Sequence, residues 1–141
     1  MKKILSFICL TAIILTIPLS VCAYQFPNAV WKPNDAYTQA VQAGDNYGVI
    51  TFGCQIMDIL KGEPQNHQVI EFSASRCEGV AKAYENLGDY ASSAKYYESY
   101  AGYAAALGFD DAVRISQAKA KEYTPKIELT APAAYSQINF G

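Results

Sequence analysis

The stretch that decides the fold is Ala81-Lys-Ala-Tyr84-Glu-Asn-Leu87-Gly88-Asp89-Tyr90-Ala-Ser-Ser93-Ala94-Lys-Tyr96-Tyr97. Val80, Ala81, Tyr84 and Leu87 close a run of three- and four-residue steps that begins at Ile70, which is the spacing of one face of a helix. Gly88 ends that helix, because glycine adopts the left-handed conformation of a helix stop without steric cost. Asp89 follows at once, and its carboxylate can accept an unpaired backbone N–H of a new helix. Ala94, Tyr97, Ala101 and Ala104 then form the next apolar stripe.

The same punctuation recurs on both sides. Asn34 is the expected cap of a first helix over Asp35–Ala43, stopped by Gly44. Asp45 caps a second helix over Asn46–Lys61, which Gly62 ends. The third helix starts at Pro64 and runs to Leu87, and the fourth spans Tyr90–Leu107. Gly108 ends that one, and Asp110 caps a fifth that reaches Tyr123, ahead of Pro125. In the second helix, Tyr47 to Cys54 is rich in β-branched residues and is compatible with a strand. The helix is preferred because Ile56, Met57 and Leu60 continue with no turn signal. The short links make chain neighbours antiparallel. The expected fold class is all-α, with about five antiparallel helices.

The chain has 141 residues, 51% of them apolar and 17% charged, which suits one globular domain. Eleven basic residues against 13 acidic ones leave no positive excess for holding nucleic acid. Met1-Lys2-Lys3, the apolar run Ile4–Leu19, Pro18 and Val21-Cys22-Ala23 read as a signal peptide cleaved after Ala23. An uncleaved anchor helix and a lipoprotein acylated at Cys22 are the alternatives. Removing 23 of the 141 residues leaves 118, with nine basic and 13 acidic residues, and no further segment suited to spanning a membrane. The mature product is expected to be exported to an oxidising compartment: secreted, periplasmic or on the cell surface. Its two remaining cysteines, Cys54 and Cys77, are expected to form a disulfide across consecutive helices.

The expected organisation is therefore a signal peptide over 1–23, an extended lead over 24–34, a helical domain over 35–123 and an extended linker or tail over 124–141. In the tail, Lys126 to Thr130 alternates polar and apolar residues, and Ile138 and Phe140 lie two apart. Two readings of this end stay open. One is a flexible tail. The other makes the chain the amino-terminal accessory domain of a larger secreted enzyme or adhesin.

The pattern Ala81-x-x-Tyr84-x-x-x-Gly88-Asp89-Tyr90, with small Ser93 and the pair Tyr96-Tyr97, resembles a tetratricopeptide repeat. Gly44-Asp45-Asn46-Tyr47 is similar to a degenerate copy of its turn. The two turns stand 44 residues apart, against a family period of about 34. The resemblance implies a short α-solenoid of two helical hairpins and a closing helix. It also implies binding of a protein or peptide partner and no catalysis.

The residues give chemistry little material. His67 is the single histidine, expected in the first turn of the third helix and facing solvent. Two cysteines and one histidine do not make a four-ligand zinc site. Asp110-Asp111 suits a helix start, where negative charge meets the positive end of the dipole. No glycine-rich phosphate loop or Gly-x-Ser-x-Gly elbow occurs. No cofactor or metal is therefore expected. The informative surface signal is tyrosine. Of 11, five lie on the fourth helix, and Tyr96, Tyr100 and Tyr103 follow steps of four and three along one face. They are the candidate binding residues, as a groove that offers ring area and hydroxyls. Packing against neighbouring helices is the other fate of such rings.

Overall fold

A computed structural model describes residues 23–130. The expected cleavage segment up to Cys22, including the acylation alternative, and the tail from 131 onward lie outside the described residues. Five α-helices follow one another: α1 Trp31–Ala43, α2 Asn46–Leu60, α3 His67–Asn86, α4 Tyr90–Ala106 and α5 Asp110–Thr130. A single 3-10 turn, Asn28–Val30, precedes α1. The described residues contain no strand, so Tyr47–Cys54 is helical. On α2, Val49, Gly53, Ile56, Met57 and Leu60 are buried, while Tyr47 is 72% exposed.

The helix stops follow from the glycines. Gly44, Gly88 and Gly108 have φ of 68°, 75° and 74°. After each, the next N–H reaches back to the carbonyl five residues before it: Asp45 to Ala40, Asp89 to Tyr84, Phe109 to Ala104, at 2.9–3.0 Å. This is the Schellman stop, which satisfies the last carbonyls of one helix while reversing the chain. Asp45 and Asp89 then cap α2 and α4 by accepting from the Gly48 and Ser92 amides at 3.0 Å.

Several boundaries differ from expectation. α1 begins at Trp31, four residues before Asp35, with Pro33 in the first turn where its missing N–H costs nothing. Asn34 is therefore not a cap. Its side chain accepts from Arg76 Nη2 at 2.6 Å. α3 begins at His67, not Pro64, because Asn66 supplies the cap to Val69 N–H. In α5 the Val113 amide bonds to the Phe109 carbonyl, so Asp110 is the first helical residue and not the cap. α5 also passes through Pro125 to Thr130, where an extended linker was expected. Proline removes one internal hydrogen bond but already holds a helical φ.

Close backbone approach is confined to helices that are neighbours in the chain, so the described helices form a linear array. Side chains make the contacts between helices two apart. Asn34 of α1 meets Arg76 of α3, Cys54 of α2 meets Tyr96 of α4, and Lys119 of α5 meets Glu85 of α3. Asn86 donates to Asn46 at 3.1 Å and ties the two glycine turns together at one end. The core runs along the array. Val30, Tyr37, Val49, Ile56, Leu60 and Val69 pack at the start, Met57, Cys77 and Val80 in the middle, and Ala81, Tyr97, Ala120 and Tyr123 at the far end. Tyr24 and Phe26 of the lead pack on the first group, and the Tyr24 amide donates to Gln68 Oε1 at 2.9 Å.

Candidate functional site

α4 carries the tyrosines, and the steps of four and three do bring Tyr96, Tyr100 and Tyr103 to one stretch of surface. All three are half-buried against Met57, Cys77 and Val80. They do not line one groove. Tyr96 and Tyr103 enter a cleft of about 290 Å³ between α2 and α4, with Cys77 of α3 at its floor. Tyr100 instead joins buried Tyr97 in a second cleft of about 340 Å³, whose walls are Glu78, Lys82 and Glu85 of α3 and Ile115 and Lys119 of α5. The tyrosine face is thus a ridge between two clefts, packed on its inner side against α2 and α3.

The first cleft is built mainly from rings and sulfur. The Tyr96 ring stacks on Tyr84 with centroids 5.5 Å apart. Its hydroxyl lies 3.2 Å from Cys54 Sγ, and the Cys77 thiol donates to its backbone carbonyl at 3.2 Å. Burial raises the Tyr96 hydroxyl, and the nearby Cys54 adds to the effect. Burial also raises Tyr103 and pushes the Cys77 thiol up to about 12. These groups stay protonated at neutral pH, so Cys77 is not a nucleophilic thiolate. Both cysteines are thiols in this structure. The charged rim contributes little: Lys61 and Asp58 pair at 2.6 Å with both side chains 69% exposed, a setting in which ion pairs are worth at most about 1 kcal/mol.

The second cleft holds an ionic network. Glu85 accepts from the Tyr97 hydroxyl and from Lys119 Nζ, each at 2.9 Å. Burial alone would raise its carboxyl. Hydrogen bonds from Tyr123, Lys119 and Tyr97, with the Lys119 charge, outweigh that and hold it below the ordinary carboxylate range. Burial, and after it the same carboxylate, raises Tyr97, and the same two causes take Tyr123 to about 12. This is a structural network of a half-buried acid with satisfied partners, and no group in it is poised to exchange a proton near neutrality.

Sequence reasoning missed the partners of the tyrosines. Cys54, Met57 and Lys61 form the opposite wall of the first cleft, and their spacing of three and four on α2 was the available signal. It also missed Arg76, whose guanidinium lies 4.5 Å from the Tyr37 ring centre and 4.4 Å from that of Phe72. Nothing in the spacing points to that sandwich. His67 stands exposed at the start of α3, as expected. Among the described residues no cluster of three His, Cys, Asp or Glu side chains could hold a metal ion, and no helix is long and apolar enough to cross a membrane. Compared with known protein families, curated proteins and solved structures, the chain matches none.

Proposed function

We propose that this is an exported, non-catalytic module that binds a peptide or protein segment in the cleft between α2 and α4. The observation that carries the reading is the cleft wall itself: Tyr96 and Tyr103 stand opposite Met57 and Cys54 across a slot whose rim carries Asp58, Lys61 and Lys95. Tyrosine gives large contact area for little rotamer entropy, which suits an extended ligand. The linear helical array supports the same reading, since such arrays present extended binding surfaces. So does the likeness of Ala81–Tyr97 to a tetratricopeptide repeat. Two of its small positions pack as such a hairpin needs, because Ser93 Oγ donates to the Ala81 carbonyl at 2.9 Å with both residues fully buried. Export rests on the basic and apolar start of the chain and the Val21-x-Ala23 site.

The test uses a displayed library of random 12-residue peptides selected on the immobilised protein. Enriched peptides should share a consensus. They should lose at least tenfold in affinity for Ser99→Arg, which fills the cleft from an exposed position, and for Tyr103→Ala. Absence of any consensus, or peptides that bind Ser99→Arg as tightly as the parent, would refute the cleft as the binding site.

A further inference from the structure

We infer that Cys54 and Cys77 are a covalent modification site, a pair that a small-molecule or protein disulfide closes into an internal disulfide at the floor of the α2–α4 cleft. Three observations place the two residues together. Asn46 lies opposite Asn86, and a Cβ added at Gly53 would stand 2.5 Å from Val80 Cγ2. These pairs set the register of the antiparallel helices α2 and α3. In that register Cys54 falls opposite residues 78–79, one or two residues from Cys77, or about 3 Å along the axis at 1.5 Å per residue. The same missing Cβ lets the two helix backbones approach next to Cys54, and disulfides need Cα atoms within about 7 Å. Finally, both side chains line the same cleft, Cys54 Sγ at the Tyr96 hydroxyl and Cys77 Sγ at the Tyr96 carbonyl, each at 3.2 Å.

The two thiols have different roles in closure. Cys54 is half-buried and opens on the cleft, whereas Cys77 is 1% exposed. The Cys54 thiolate attacks a disulfide RS–SR, forming the mixed disulfide and releasing one RS⁻. The Cys77 thiol then gives up its proton to the released RS⁻ as its sulfur attacks Cys54 Sγ, closing the pair and expelling the second RS⁻. The pair loses two electrons and two protons, and the oxidant leaves as two thiols. Closure takes both sulfur contacts away from Tyr96 and frees its hydroxyl for whatever occupies the cleft. That consequence deepens the proposed binding reading, while the bond itself is independent of it.

The experiment takes the reduced mature chain from Tyr24 onward, whose cysteines are Cys54 and Cys77, incubates it with a mixture of oxidised and reduced glutathione, unfolds it, alkylates it and maps the peptides by mass. The expected product is a peptide pair linked through Cys54 and Cys77, 2 Da lighter than the separate peptides. The oxidised protein should melt about 10 °C or more above the reduced one, since the bond closes a loop of some two dozen residues. Cys54→Ser, a conservative change at a half-buried position, should abolish both the link and the redox-dependent shift. Both cysteines alkylated, or both carrying glutathione with no link, would overturn the inference. No partner enters the measurement, so a failed peptide selection leaves it standing.

Discussion

Gly53 is where the packing of α2 on α3 is tested most directly. A methyl group there would lie 2.5 Å from Val80 Cγ2 and 3.3 Å from Tyr37 Cε2. Carbon contacts are comfortable at about 3.5–4.0 Å, so one partner must retreat by roughly 1 Å. Val80 cannot turn away, because it is fully buried and β-branched side chains have a single preferred rotamer in a helix. Tyr37 is held from the other side by Arg76. Overpacking of this kind costs about 1–3 kcal/mol. Replacing glycine by alanine inside a helix returns about 1 kcal/mol. Gly102 on α4 supplies the control, since a Cβ there meets nothing within 4 Å. Gly102→Ala should therefore stabilise by about 1 kcal/mol, and Gly53→Ala should stand about 1–3 kcal/mol below it, with the propensity gain cancelled between them. In a domain of this size that separation is about 5 °C or more in Tm. Urea and thermal unfolding followed by circular dichroism would measure it. A Gly53→Ala protein as stable as Gly102→Ala would refute the close approach of α2 and α3, and with it the register that places Cys54 beside Cys77.

Glu85 should govern the acid limb of stability. Its carboxyl is depressed in the folded protein, so its contribution is present above the unfolded value of about 4.3 and is lost as pH falls through the lower folded value. Glu85→Gln should flatten the loss of Tm below about pH 4 and cost about 1 kcal/mol at pH 7, where it weakens hydrogen bonds from Tyr97 and Lys119. An unchanged acid limb would place the sensitivity elsewhere. Ser93→Ala should cost about 1 kcal/mol through loss of the bond to the Ala81 carbonyl, and Ser93→Val should cost more, because the site is fully buried, with urea midpoints as the check. Protein collected from the exporting cell should begin at Tyr24 on amino-terminal sequencing. Its new ammonium then stands where the Tyr24 amide now donates to Gln68. A start at Met1, or lipid on Cys22, would reject cleavage after Ala23.

The glycine–aspartate turns were legible because two independent physical demands fall on adjacent letters. A left-handed helix stop wants glycine, and the next helix wants an acidic or amide cap, so Gly44-Asp45 and Gly88-Asp89 could hardly be read otherwise. Asn34 shows the limit of the same logic. It is a good capping residue, but its partner is Arg76, 42 positions away, and such tertiary pairing leaves no local trace. Pro125 misled in the opposite direction, because a proline that reads as a stop still has a helical φ and is accepted within α5. For the site, the steps along α4 located the tyrosines. The division of Tyr96 and Tyr103 from Tyr100 depends on which neighbour each ring meets, and that is decided by α2 and α5 together.

The confinement of backbone contacts to chain neighbours has a kinetic consequence. Each helix can dock as soon as the one before it exists, without first closing a long loop, and chains dominated by such local contacts fold in microseconds to milliseconds. The same topology sets where the native state opens. α3 is gripped from both directions, by α1 through Arg76 and by α5 through Glu85, while α5 has helical neighbours on one side alone among the described helices. Amide exchange should therefore be slowest along the middle of α3 and faster in the two end helices, so that the array opens from its ends inward.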